Sequence, residues 1–221
     1  MNIKDIVEFY EPYHIGSKLI YYVVPQRLMN KLQDYFEKNE TGYIINKEAI
    51  SKDSLISPVV VILKNEQNNV EVQVNYSAPA LNCIGSVPEY VLDLSQNIMK
   101  ILPELGYDLE STFLFYEIIA NVILKVKKPA DEILKKFSTL KISEELKIPV
   151  LNVTQIRFSD KFIPKQDEEF FEVALFPHRT SPKNRIILRI LKRFTKYEDL
   201  LAFNKNQDNF ILDIYKNLED V

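Results

Sequence analysis

The chain has 221 residues, with 28 Lys and Arg against 31 Asp and Glu, a net charge of −3, two His, one Cys, four Gly and no Trp. At 46% hydrophobic and 27% charged residues it is composed like a globular protein, not like a fibre or a disordered tail. No run approaches the roughly 20 continuous apolar residues of a membrane span, and the isolated glycines Gly16, Gly42, Gly85 and Gly106 leave no GxxxxGK[ST] or GxGxxG loop to cradle phosphates.

Along the chain, Lys18–Val24 is β-branched and aromatic and reads as the first strand. Pro25, tolerated at a first helical position, opens a helix in which Leu28, Leu32, Tyr35 and Phe36 recur at helical spacing to about Asn39. Gly42–Asp53 is polar and shows no clear period. Val59–Leu63 and Val70–Val74 read as a hairpin around the polar turn Asn65–Asn69. Its second strand has one wet face, because Glu71 and Gln73 alternate with Val72 and Val74. Leu81–Ile84 adds a short strand. Pro88 opens a second helix carrying Tyr90, Val91, Leu94, Ile98 and Ile101, and Gly106 is placed to terminate it.

The pattern then restarts. Thr112–Val126 is a long strand-like run, and Pro129 opens a helix with Ile133, Leu134 and Phe137. Val150–Phe158 alternates apolar and polar residues, Phe170–Phe176 is a further strand, and the loop His178–Asn184 follows. Arg185–Phe194 has two readings. Ile186, Ile187, Ile190, Leu191 and Phe194 suit one helix face. However, Thr195-Lys196-Tyr197-Glu198 has the form of a capping box, so a helix should begin there and the preceding residues should not already be helical. The strand is therefore favoured, and the last helix runs to about Leu218. Both halves read β-α-β-β-β-α. The expected fold is α+β: two tandem modules, residues 1–108 and 109–221. Each has a curved antiparallel sheet with helices on one face, in a saddle or helix-grip-like arrangement. No flexible linker separates them, so tight association is expected.

Phe115–Val122, Ile133–Phe137, Leu151–Phe158, Ile186–Leu188, Tyr197–Leu201 and Phe210–Tyr215 together resemble a sporadically distributed family of uncharacterised prokaryotic two-module proteins of about this length. Members share the strand–helix–strand order and end in a helix that begins near an acidic-Leu-Leu step, as at Asp199-Leu200-Leu201. The Trp common in that family is missing here, and Asn206, Gln207 and Asn209 stand where its last helix often carries His. The resemblance implies the fold, and no activity, cofactor or catalytic residue. The element order is also similar to the duplicated saddle of TATA-binding proteins, which transfers no function.

The strongest chemical signal is a block of seven cations with no acid among them: Arg179, Lys183, Arg185, Arg189, Lys192, Arg193 and Lys196. Two readings stand side by side. One is an anion patch with His178, Arg179, Lys183, Arg185, Arg189 and Arg193 as binding residues. The other is a solvated edge strand kept from aggregating by its charges, paired with acids such as Glu168, Glu169 and Glu172. Lys125, Lys127, Lys128, Lys135 and Lys136 read as the solvated start of a helix. The acid pairs Glu144-Glu145, Asp167-Glu168-Glu169 and Glu198-Asp199 read as solvated surface, because adjacent acids do not share a face. The early tyrosines Tyr10, Tyr13, Tyr21, Tyr22, Tyr35 and Tyr43 read as core and rim packing.

His14 and His178 lie far apart, without metal-ligand spacing, and Cys83 sits in an apolar run as a small buried hydrophobe. No cofactor, metal or catalytic residue is expected. One Cys, and acids near the N-terminus, point to the cytosol. The expected function is a non-catalytic binding or scaffold protein with a protein partner or as a homo-oligomer, and no membrane. Nucleic-acid or phosphate-ligand binding through 179–196 is the alternative, and an enzyme with an unrecognised site between the modules is a third reading.

Overall fold

A computed structural model describes residues 2–20, 23–39, 41–45, 59–75, 78–137, 154–161, 165 and 168–220. In chain order these form α1 (Ile3–Ile6), β1 (Val7–Leu19), α2 (Pro25–Lys38), β2 (Ile44–Ile45), β3 (Val59–Asn65), β4 (Val70–Asn75), β5 (Ala80–Gly85) and α3 (Pro88–Ile101). Then follow α4 (Leu109–Thr112), β6 (Phe113–Lys125), α5 (Ala130–Phe137), β7 (Ile156–Ser159), β8 (Phe170–Pro177), β9 (Arg185–Phe194) and α6 (Tyr197–Asp220). The strands make one open, antiparallel nine-stranded sheet in the order β2-β3-β4-β5-β1-β6-β9-β8-β7. The long strands β1 and β6 lie side by side in its middle.

Alternation along each strand divides the sheet into two faces. One face carries Tyr13 and Ile15 of β1, Val70, Val72 and Val74 of β4, Leu81 and Cys83 of β5, Ile118, Ala120, Val122 and Leu124 of β6, and Ile186, Leu188 and Ile190 of β9. All are buried in one hydrophobic cluster. Helices α2, α3, α5 and α6 complete that cluster, with Leu28 and Leu32, Leu94 and Ile98, Ile133 and Leu134, and Leu200 and Ile211. The other face is half-exposed, with His14, Lys18, Gln73, Glu117, Asn121, Arg189 and Arg193 along it. Phe115, Ile123, Phe170 and Ala174 are buried on that side, outside the main cluster.

Polar ties cross the core where helices of one half meet elements of the other. The buried Tyr13 hydroxyl shares its proton between Asn204 Oδ1 at 2.5 Å and Gln207 Oε1 at 2.9 Å, joining β1 to α6. Ser95 Oγ and the Tyr197 hydroxyl are 2.8 Å apart, joining α3 to α6. Each tie satisfies a buried group that would otherwise cost about 1–3 kcal/mol.

The prolines mark helices as expected: Pro25 and Pro88 stand in the first turns of α2 and α3, and Pro129 immediately precedes α5. The hairpin β3–β4 forms around residues 66–69, with Asn69 in the left-handed region at φ 49°. Arg185–Phe194 is a strand, and α6 begins at Tyr197. Val150–Val153, Glu144-Glu145, Asp167, Tyr21 and Tyr22 lie outside the described residues, and β7 covers only Ile156–Ser159.

One expectation is corrected. The first strand is Val7–Leu19, not Lys18–Val24. Pro12 and the charged residues Glu8 and Glu11 disguise it. Pairing with β6 tolerates them because the register shifts between Val7 and Phe9 and again between Tyr10 and Tyr13, so Pro12 sits at an irregularity where no ladder hydrogen bond is lost. The short helices α1 and α4 were also not foreseen.

Gly85 ends β5 where it runs against the hairpin and α3. A methyl group there would lie 2.8 Å from Val70 Cγ1, 2.9 Å from Val91 Cγ2 and 3.0 Å from the Asn69 carbonyl oxygen. Backbone on one side and a packed core on the other leave no easy relaxation. Gly85→Ala is expected to lower the unfolding free energy by about 1–3 kcal/mol, measured by urea denaturation. An unchanged midpoint would show that β5 and α3 are not packed this closely.

Candidate binding face

The basic strand β9 lies between β6 and β8, so it is not an edge; the strands that end the sheet are β2 and β7. Its cations therefore do not guard a free edge, and that reading of the block is corrected. Nor do its arginines pair with the acids proposed for them. Glu172 of β8 lies 3.5 Å from Arg157, and Glu168 lies 3.2 Å from Lys161 and 3.6 Å from Lys165.

Period-two alternation sends Ile186, Leu188 and Ile190 into the core, and Arg185, Arg189 and Arg193 onto the open face. Lys192 takes the helix side. Its ammonium lies 4.5 Å from the ring centre of Phe203, 5.3 Å from Phe194 and 5.6 Å from Phe171, which is cation–π geometry. One sequence block thus serves two opposite faces.

The open-face arginines are used differently. Arg185 clamps Glu8 of β1 through two contacts of 2.5 Å and also reaches Ser181 Oγ at 3.1 Å. The guanidinium holds the Glu8 carboxyl below its ordinary range. Arg193 stacks its guanidinium 3.9 Å over the Phe115 ring and donates from Nη1 to the Lys165 carbonyl at 3.1 Å. Arg189 stands between Asn121 of β6 and Ala174 of β8. The Nε atoms of Arg189 and Arg193 are shut off from solvent with no hydrogen-bond partner among the described residues.

His178, Arg179 and Lys183 sit in the β8–β9 connection; His178 is half-buried and the other two are exposed. His178 Nδ1 lies 3.4 Å from Thr180 Oγ1. His178, Arg179 and Arg189 come together along one groove of about 770 Å³, whose apolar wall includes Ile123, Phe176 and Ile187 and whose rim includes Glu11. Lys183, Arg185 and Arg193 do not line it. Three of the six expected binding residues thus line this groove, and the other three do not.

A second pocket, of about 340 Å³, lies where the two central strands meet; its walls include His14, Lys18, Asn82, Phe115, Glu117 and Arg193. Of these, only Arg193 was singled out from sequence. Gly16 forms part of its floor. A methyl group built there would stand 3.1 Å from Glu117 Cγ and 3.2 Å from both Asn82 Oδ1 and His14 Nε2. Three strands deliver these side chains: Asn82 from β5, His14 from β1 and Glu117 from β6. Burial pushes the His14 imidazole below its ordinary value, against the Asn82 amide and the Glu117 carboxylate, which favour the charged ring. Its Nε2 meets no hydrogen-bond partner in good geometry among the described residues.

Other candidates are structural. Lys127 and Lys128 bond to Glu219 at the end of α6, and Lys135 pairs with Asp131 at 3.2 Å. Cys83 is buried, and desolvation pushes its thiol up to about 12, so it is a poor nucleophile at neutral pH. Among the described residues no three His, Cys, Asp or Glu side chains are grouped to hold a metal ion, and no helix is long and apolar enough to cross a membrane.

No protein-family model and no curated protein matches the chain. Among solved structures it is similar to Methanococcus jannaschii TBP, at 11% identity over 96% of this chain and 98% of that one, with a TM-score of 0.37.

His14 gives the central pocket a measurable property. With its folded-state pKa held below the usual value of about 6.5, the buried neutral ring contributes full stability above that pH. That contribution is lost as pH falls from there through the folded value, because the unfolded chain takes up the proton first. NMR titration is expected to find the His14 ring taking up its proton at lower pH than a free imidazole, and His14→Gln to flatten the loss of unfolding free energy below about pH 6.5. A ring half-protonated at or above the usual value would contradict its burial beside Asn82.

Proposed function

We propose that the protein is a non-catalytic binding protein, and that the open face of its sheet is the surface with which it grips a protein partner, a second copy of the chain included. The observation that carries this reading is the make-up of the half-exposed open face, where Asn121 and Arg189 stand beside Ile119 and Leu191 on the central strands.

The character of the face favours protein over a polyanion. Cations and carboxylates are mixed along it: Arg185 is clamped by Glu8, Arg157 lies on Glu172, and Glu117 stands across the ladder from Arg193. Half-exposed Ile119 and Leu191, and Phe9 at 42% exposure, add apolar contact area. Polar, apolar and aromatic groups in such mixture suit a protein interface, whereas a nucleic-acid footprint is a stripe of one sign. The tandem organisation, 1–108 and 109–221, belongs to the same reading. From the central strands outward the sheet runs β1-β5-β4-β3-β2 on one side and β6-β9-β8-β7 on the other; apart from the two-residue β2 the order repeats, which supports two modules sharing one face.

A second reading rests on the groove holding His178, Arg179 and Arg189, which offers cationic donors beside an apolar wall and could take phosphates of a nucleic acid. Size exclusion with light scattering at low and high salt, recording the 260/280 ratio, separates the two. Protein docking predicts a clean ratio, and either a defined multimer or a partner complex that Leu191→Asp and Arg189→Glu abolish while circular dichroism stays unchanged. A high ratio that falls with salt would overturn it for the second reading, with binding then weakening by a log–log slope of about 0.9 per phosphate contacted. A clean monomer with no complex sensitive to these substitutions removes both.

A further inference from the structure

The pocket where β1 and β6 meet holds charges of both signs that do not neutralise each other. Glu117 and Arg193 are direct cross-strand neighbours, a placement in which Cβ atoms stand about 5 Å apart. No ion pair joins them among the described residues, for Arg193 turns instead to the Phe115 ring and the Lys165 carbonyl. Lys18, the cross-strand neighbour of Phe115, brings a second cation into the same pocket. Arg193 Nε, buried there, lacks a partner among the described residues. Gly16 leaves the floor open: an added methyl would stand 3.1 Å from Glu117 Cγ and 3.2 Å from Asn82 Oδ1 and His14 Nε2, and these side chains would have to give way.

This combination selects against simple ions. A bare anion would gain Lys18 and Arg193 but meet the Glu117 carboxylate. A bare cation would gain Glu117 and Asn82 Oδ1 but meet the two cations. A small molecule with both charges satisfies every group at once. From this geometry we infer that the pocket is a binding site for a small zwitterion of the free α-amino-acid class. The ligand's ammonium is taken by Glu117 and the Asn82 carbonyl, and its carboxylate by Arg193 and Lys18. At about 340 Å³ the pocket is of a size used for small ligands. The inference goes beyond the proposed protein docking and is tested on the chain without any partner, so either can fail alone.

The test is isothermal titration of the purified full chain, without any partner, against each of the common free amino acids and against acetate and methylammonium. At least one amino acid is expected to bind in the micromolar to millimolar range, with acetate and methylammonium weaker by about tenfold or more. Glu117→Gln and Arg193→Gln should each weaken that amino acid by about tenfold or more, while unfolding midpoints show that both variants are folded. Gly16→Ala should block the site, and if that variant does not fold, Glu117→Gln carries the result. No heat from any amino acid at about 10 mM overturns the inference. So does acetate binding as tightly as the amino acid, which would make the pocket an anion site only, and so does undiminished binding to Glu117→Gln.

Discussion

The ladder between β1 and β6 is the constraint on which the rest of the molecule depends. It joins residues 7–19 to residues 113–125 and makes one sheet of strands drawn from both halves of the chain. Because its strands are central, each pairs on both sides, β1 with β5 and β6 with β9. Edge strands can fray or slip, but a shift of one residue in a central pair would turn every core side chain of one of the two strands outward. Tyr13, Ile15, Ile118 and Ala120 therefore hold the register as much as they fill the core. The same register sets His14 opposite Ile119 and Gly16 opposite Glu117 on the other face, so the polar pocket is built by the packing that builds the core.

The open face combines fixed and unfixed groups. Arg185 is immobilised by Glu8 and Ser181, and Arg193 by an aromatic ring and a backbone carbonyl. Held in this way, a guanidinium loses little further freedom when something docks, which lowers the entropic cost of recognition. Arg179 and Lys183, exposed in the β8–β9 connection, keep their freedom and are better suited to long-range attraction than to precise contact. The distinction follows from position: strand residues inherit the rigidity of the ladder, and loop residues do not.

What could be read from sequence divides along a physical line. Signals carried by neighbours in the chain were legible. Pro25, Pro88 and Pro129 marked helices, the Asn-rich turn marked the β3–β4 hairpin, and a capping-type pattern at Thr195 favoured a strand for the preceding ten residues. β1 was not legible, because Pro12 and the surrounding charges break its pattern and only the irregular pairing with β6 accommodates them. The basic block was legible as a concentration of charge. Its division between two faces was partly implied by strand alternation, but its place inside the sheet was not, since strand order is a property of the whole chain. His14, Asn82 and Glu117 gave no signal at all. Each is unremarkable in its own segment, and they become a group only when β5, β1 and β6 lie side by side.

The hydrogen bonds of Tyr13 bear on how the chain is made. Its hydroxyl is satisfied by Asn204 and Gln207 on α6, far along the chain from β1. On the ribosome the first strand emerges nearly two hundred residues before its partners. Until β6 begins at Phe113, the core face of β1 has neither β6 to pair with nor α6 to cover it. Until Asn204 and Gln207 have been made, the Tyr13 hydroxyl must keep water as its partner, so the core around it closes late.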